Sequence, residues 1–230
     1  MYSALKHRVY LANIALTKHG LITLTWGNAS EIDREAGVVA IKPSGVKYEE
    51  LSEDDIVVLD LSGRVVEGSL RPSSDAPTHL EIYRSFPEIG GIVHTHSRFA
   101  TVFSQAVRAI PPMGTTHADA FLGAVECTRR LTPEEVEADY EENTGRVIAE
   151  TVGSRPVMDV PAVLVSEHGP FTWGADAAEA LKNAVILEEV AAMAWHTAML
   201  GKEREISPHL MKKHYERKHG KDAYYGQEKR

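Results

Sequence analysis

Gly90-Gly91-Ile92-Val93-His94-Thr95-His96-Ser97 carries two histidines two positions apart at the end of an apolar run. Read as a β-strand, the stretch points side chains i and i+2 to one face. Their roots then lie about 7 Å apart, at roughly 3.3 Å of rise per residue. Two imidazoles on one face at that spacing can converge on one metal ion. A third histidine, His168, stands in Val165-Ser166-Glu167-His168-Gly169-Pro170, again just past an apolar run. Three neutral nitrogen donors with a fourth position left open describe a catalytic zinc site rather than a structural one. The chain holds 11 histidines, so other readings stand beside this one: a chance pair, an ordinary hydrogen-bonding role, or a turn role for His168 before Gly-Pro.

Outward from that stretch, helices and strands alternate. Leu5, Val9, Ala12 and Leu16 form one apolar stripe, which predicts a helix from Ser3 to Lys18 closed by His19-Gly20. Val38–Ile41 and Ile56–Leu61 read as strands, and Ser62-Gly63 turns the chain back through Arg64–Glu67 as a hairpin. Ser74-Asp75-Ala76-Pro77 has the cap and early proline of a helix start, and the helix runs to Ser85. Strand Ile89–His94 leads to a helix from Arg98 to Val107. Residues Pro133 to Thr151 read as one helix, acidic at its start as a helix N-terminus favours. Ala162–Ser166 and Pro170–Trp173 read as strands around His168. A capping box at Asp176-Ala177-Ala178-Glu179 opens a helix to Leu200. No repeat or long linker interrupts the pattern, so a single α/β domain over residues 1–230 is expected, with helices on both faces of a mixed sheet.

The bulk numbers exclude several classes. A chain of 230 residues with 43% hydrophobic content can bury a substantial core without covalent staples. The single cysteine, Cys127, excludes an intrachain disulfide framework and a Cys-rich zinc site, and an intracellular compartment is the natural expectation. The net charge of −8 argues against a generic nucleic-acid binder, though a local pocket can still be positive. The start, Met1-Tyr2-Ser3-Ala4-Leu5-Lys6-His7-Arg8, carries charge where a signal peptide has its apolar core. No apolar run reaches the roughly 20 residues that span a bilayer.

Three polar segments could hold an anion. Thr25-Trp26-Gly27-Asn28 offers a glycine and an amide. Lys42-Pro43-Ser44-Gly45 offers an ammonium, a hydroxyl and an approachable backbone N–H. Pro72-Ser73-Ser74-Asp75 sets two hydroxyls at a helix start, where free N–H groups favour phosphate. Taken singly, the last two are more often an ordinary turn and a plain N-cap. Together the segments supply the directed donors and the cation that a phosphorylated sugar requires. Asp75 is either the helix cap, a metal ligand or an acid/base group. Thr115-Thr116-His117-Ala118-Asp119 and the Tyr224-Tyr225 pair add further polar groups, and a phenol is a usable proton donor.

These segments, in this order, resemble the L-ribulose-5-phosphate 4-epimerases of the class II aldolase/epimerase superfamily. The resemblance covers nearly the whole chain. It rests on Leu24–Asn28, Ile41–Val46, Pro72–Asp75, Gly91–Ser97, Gly114–Asp119, His168–Phe171, and Lys213-His214-Tyr215 through Tyr225-Gly226-Gln227. It implies a three-layer α/β/α sandwich around a mixed, mostly antiparallel sheet, and a cytoplasmic zinc-dependent homotetramer with active sites between subunits. It implies His94, His96 and His168 as zinc ligands, with Asp75 at the metal. Gly27, Asn28, Lys42, Ser44, Gly45, Ser73 and Ser74 match substrate- and phosphate-binding positions. Asp119 and Tyr225 match the proton-transfer pair, given by the adjacent subunit together with the supporting Thr115 and His214. Glu141 matches an accessory acidic position.

The implied activity is that of an isomerase: C4 epimerisation of L-ribulose 5-phosphate to D-xylulose 5-phosphate, a step open to arabinose and to ascorbate breakdown. Related aldolases carry glutamate where this chain has Asp75, which favours the epimerase. The segment Thr151–Val160 is shorter than the family pattern, and Asn143 replaces an acidic residue. A fragment-releasing aldolase, a zinc hydrolase and a non-catalytic cytoskeletal relative are the competing classes; the last lacks the metal histidines.

Overall fold

A computed structural model describes residues 1–201, 204–221 and 223–225. Its strands are β1 (Asn28–Asp33), β2 (Val38–Ile41), β3 (Val57–Asp60), β4 (Val65–Glu67), β5 (Gly91–His94), β6 (Ala162–Leu164) and β7 (Pro170–Gly174). Its helices are α1 (Ser3–Lys18), α2 (Ala76–Ser85), α3 (Arg98–Gln105), α4 (Thr115–Ala118), α5 (Pro133–Glu137), α6 (Tyr140–Val152), α7 (Ala177–Met199) and α8 (Pro208–His219). The strands form one 7-stranded sheet in the order β4-β3-β2-β1-β5-β7-β6. Each neighbouring pair is antiparallel, so the sheet is less mixed than expected. A parallel element occurs as the isolated Cys127–Leu164 bridge.

Period-2 alternation divides the core into two layers. On one face Ile32, Val39, Ile41, Ile92, Phe171 and Trp173 pack against Leu80, Ile82 and Tyr83 of α2 and Ile148 and Val152 of α6. On the other, Ala29 and Val93 meet Ala12 and Leu16 of α1 and the alanines 177, 180 and 184 of α7. Ala162 and Leu164 on that same face meet α3 and the middle of α7. The result is helix, sheet, helix. Gly90 and Gly91 let α7 start against β5, since a Cβ on Gly91 would collide with the backbone of Asp176 and Ala177.

The sequence pattern assigns no element to Asn28–Asp33, yet β1 lies at the middle of the sheet, and Asn28–Glu31 are all buried there. Its polar side chains meet partners among the described residues, with only the Asn28 Oδ1 left without one. Asn13 of α1 pairs with both backbone groups of Ala29, at 2.9 and 3.1 Å. The Ser30 hydroxyl lies 2.7 Å from His79 Nδ1 and 2.8 Å from the Tyr83 hydroxyl. Glu31 accepts from Arg8 at 2.6 Å and from the N–H of Ala177, the first residue of α7, at 3.0 Å. Buried polar groups with partners cost little, so tertiary context makes a strand of a sequence with weak β-propensity.

The helix expected over Pro133 to Thr151 is two helices. Thr132 and Glu135 close a capping box around α5, and Ala138 leaves the helical region at φ −90, ψ −120. The Asn143 amide donates 3.0 Å to the Glu135 carbonyl and holds the two helices at their joint. The break turns Tyr140 and Glu141 toward the ends of β5 and β7. Helices α4 and α8 go beyond the elements expected from the sequence. Asp176 does cap α7, accepting from the Glu179 N–H at 2.8 Å. Among the described residues no helix is long and apolar enough to cross a membrane.

Candidate active site

The strand register builds the centre of the site. Asn28 stands opposite His94 on β1, and Phe171 stands opposite His94 on β7. These three therefore share the face covered by α2 and α6. The strand ends at His94, so His96 lies beyond it rather than on it, and the expected i, i+2 strand spacing does not position the pair. His168 sits in the tight turn between β6 and β7, with its N–H on the Val165 carbonyl at 3.1 Å. His168 is thus a turn residue, and that turn is compatible with a place in a metal-binding cluster.

The three imidazoles converge. One ring nitrogen from each lies within 4.8 Å of the other two, and the His94 and His96 Nε2 atoms are 3.2 Å apart. The Pro170 carbonyl, 2.9 Å from His94 Nδ1, can only accept. Nδ1 is therefore the protonated nitrogen, and Nε2 presents its lone pair to the cluster. Phe171 stacks on the His94 ring at 4.2 Å and fixes its plane. The Tyr140 hydroxyl lies 3.3 Å from His168 Nδ1, leaving Nε2 of that ring for the centre. Burial, followed by the neighbouring His94 and His96 rings, pulls His168 down to about 3; partial desolvation on the cluster side, then the His94 ring, lowers His96, whose outer edge reaches solvent. Neutral imidazoles are what a metal requires. A tetrahedral ion at about 2.0–2.1 Å from nitrogen ligands separates them by about 3.3 Å, so this donor set fits a divalent metal.

Asp75 occupies the N-cap position of α2 but makes no cap bond. Its Oδ2 accepts from the Asn28 amide at 2.6 Å. Burial pushes its carboxyl upward, but His94, His79, the Asn28 amide and His168 together hold it below the usual range. One helical turn on, His79 is fully buried and pulled down to about 3 by that burial. Asp75 and His79 (i, i+4 on α2) thus face Asn28 and Ser30 (i, i+2 on β1) as a two-rung ladder.

A cavity of about 410 Å³ opens over this cluster. It is lined by His94, His96, His168 and Asp75, and by Gly27, Asn28, Lys42, Ser44, Gly45, Ser73, Ser74 and Glu141. All three expected polar segments thus meet at the histidines. Lys42 is buried, and burial pulls its ammonium down to about 8. The structure does not bring the remaining expected residues to this cavity. Asp119 and Tyr225 line a separate cavity of about 650 Å³. There Asp119 accepts from His214 Nδ1 at 2.9 Å and from Arg217 at 2.7 Å, and pairs with Lys218 at 3.2 Å. Burial opposes its ionisation, but Arg217, His214 and Lys218 prevail and hold it at about 2. Arg217 and Lys218 lie over the Tyr225 ring at 4.9 and 4.4 Å. Thr115 opens α4, whose C-cap is Asp119. Gly226 and Gln227 lie outside the described residues.

Tyr140, His79 and Tyr48 are site neighbours that sequence reasoning misses. His79 has a signal, its i+4 spacing from Asp75. Tyr140 depends on the helix break, which the acidic run conceals.

A family profile for the Class II Aldolase and Adducin N-terminal domain matches residues 7–195. Among solved structures the fold is similar to an L-fuculose 1-phosphate aldolase, at TM-score 0.79 and 27% identity over 93% of this chain and 95% of that one. It is also similar to YgbL from Klebsiella pneumoniae, described as a candidate aldolase/epimerase/decarboxylase, at TM-score 0.73 and 24% identity over 91% and 97%. An L-fuculose-1-phosphate aldolase from Thermus thermophilus matches at TM-score 0.67 and 24% identity over 88% and 98%.

Proposed function

This chain belongs to the Class II Aldolase and Adducin N-terminal domain family, and from that premise we propose that it interconverts L-ribulose 5-phosphate and D-xylulose 5-phosphate. The reading is carried by one observation: three convergent imidazoles, Asp75 and the donors of three separate loops line a single cavity. That combination suits a phosphorylated sugar held beside a divalent metal, for which we propose zinc. The bound metal supplies Lewis-acid stabilisation of the negative charge that develops during carbon–carbon cleavage, an effect of several kcal/mol.

The chemistry follows from the position of C4. Its hydrogen is not adjacent to the C2 carbonyl, so direct deprotonation there is unfavourable. Cleavage of C3–C4 avoids this, because the C4 hydroxyl proton leaves as the bond electrons pass to C3 as an enediolate. Glycolaldehyde phosphate forms at the same time. In this reading Ser44, Gly45, Ser73, Ser74 and Lys42 retain its phosphate while the aldehyde turns. The bond re-forms on the opposite face, and the new C4 alkoxide takes up a proton. Asn28 orients the Asp75 carboxylate beside the reacting oxygens, and Glu141, which lines the same cavity, serves as an accessory acid.

Two faces require two proton-transfer groups. We assign these to Asp119 and Tyr225 of an adjacent subunit, supported by Thr115 and His214, in a cytoplasmic homotetramer. Asp119 and Tyr225 gather in a cavity of their own, apart from the histidines of the same chain. That separation suits a site shared between copies. The substrate is a small molecule; neither nucleic acid nor membrane enters the reading.

A second reading has one specific observation in its favour. The solved structure at 27% identity is an aldolase, and an aldolase would release its two fragments. Asp75 favours the epimerase, since the resemblance gives the aldolases a glutamate there. Incubation with L-ribulose 5-phosphate and metal tests both: the epimerase yields D-xylulose 5-phosphate, and the aldolase yields free dihydroxyacetone.

A further inference from the structure

Behind the wall of the metal cavity, one side chain joins two of the loops that line it. Tyr48 is 5% exposed. Its hydroxyl donates 2.8 Å to the Gly27 carbonyl, and the Lys42 ammonium lies 4.7 Å from the centre of its ring. Gly27 and Lys42 both line the cavity, on separate segments. Gly27 has little freedom to adjust: its φ is +103, and a Cβ there would come within 2.8 Å of the His94 carbonyl oxygen. The Gly27 carbonyl is thus a fixed anchor next to a metal-site strand.

Lys42 is the complementary half. Its ammonium donates to the Val46 carbonyl at 2.6 Å and to that of Pro43 at 3.3 Å. An ammonium has three protons, so two bind the loop and one is left for the cavity. The Tyr48 ring lies against this ammonium, where the negative face of the ring stabilises the charge. Burial, then the charge of Asp75, pushes the Tyr48 phenol well above its ordinary range, so it stays a donor to Gly27.

We propose that Tyr48 is a positioning residue that sets the spacing between the Gly27–Asn28 segment and the Lys42 ammonium, and so determines affinity for the phosphate end of the substrate. It acts through Gly27 and Lys42 and does not touch the reacting carbons. The inference rests on the phosphate-cradle reading above.

The test uses metal-loaded full-length protein and two variants, Tyr48→Phe and Tyr48→Leu. Affinity for inorganic phosphate is measured by calorimetry, and KM and kcat are measured with L-ribulose 5-phosphate. Tyr48→Phe removes one hydrogen bond and keeps the ring. It should weaken phosphate and raise KM by about fivefold, with kcat within about twofold of wild type. Metal content and melting temperature should not move. Tyr48→Leu also removes the ring face and should weaken phosphate further. A Tyr48→Phe protein with wild-type phosphate affinity overturns the proposal, as does one that loses kcat at constant KM. A wild-type protein that takes up no phosphate overturns the cradle reading and this inference with it, so the two failures are told apart by the wild-type titration.

Discussion

The His94 ring and the Pro170 carbonyl are joined by a 2.9 Å hydrogen bond that fixes which nitrogen of His94 faces the cluster. The bond crosses from β5 to β7, so the same antiparallel pairing that builds the sheet also sets the tautomer of a residue in the candidate metal cluster. A carbonyl cannot donate, and His94 has no freedom to present its other nitrogen.

Replacing His96 tests the cluster with little cost to the fold. His96 is exposed and lies outside the strand, so His96→Asn should melt within a few degrees of the metal-free wild type. Its metal content should collapse, and turnover should fall by at least about 100-fold, since even outer-shell changes at such sites cost 10–100-fold. Elemental analysis and circular dichroism on one sample check both halves.

Asp75→Asn keeps the shape of the side chain and removes its charge. The Asn28 amide, 2.6 Å away, then faces a neutral oxygen or another amide. Turnover should fall about 100-fold or more while KM changes little, the pattern of an interaction made mainly in the transition state. Steady-state kinetics at saturating metal separates the two constants.

If Lys42 holds the phosphate as proposed, substrate affinity should depend on pH. Burial lowers its ammonium to about 8, so the charge is present below that pH and lost above it. KM should rise as pH passes about 8, and Lys42→Met should show a high KM with no such inflection. The sign for stability is opposite. The unfolded chain binds the proton more tightly than the folded one, so this group adds stability as pH climbs from about 8 toward its ordinary 10.5. A pH series of KM and of melting temperature should therefore move in these two directions.

Much of this is legible in the sequence, and the exceptions share a cause. The stripe of α1, the hairpin of β3 and β4 and the proline start of α2 depend on local pattern, and each lies close to where the pattern puts it. The three histidines are legible because two stand two positions apart after one apolar run and the third follows another. β1 is not legible, because Asn28, Ser30 and Glu31 are buried only through partners on α1, α2 and α7. Nor is Tyr48, whose hydroxyl meets Gly27, 21 positions away, and whose ring face meets Lys42. Nothing in either local sequence announces them. Asp119 is legible as a motif position but not as the centre of an ion cluster, since Arg217 is 98 positions away.

The shared-site reading predicts complementation. His96→Asn destroys the metal half of a site and Asp119→Asn its proton-transfer half, so each alone should be inactive. Asp119→Asn should still bind metal in full. Unfolded and refolded together in equal amounts, the two should recover about a quarter of wild-type activity, because that share of randomly assembled interfaces pairs two intact halves. Sites complete within one chain would recover nothing.

The most direct test of the account is a ¹³C NMR time course of L-ribulose 5-phosphate with the purified, metal-loaded protein, repeated after chelation. D-xylulose 5-phosphate signals should grow to a stable ratio, free dihydroxyacetone should not accumulate, and the chelator should arrest conversion until metal is added back. Conversion that proceeds undiminished in the chelated sample, or a substrate spectrum that never changes with metal present, would contradict it.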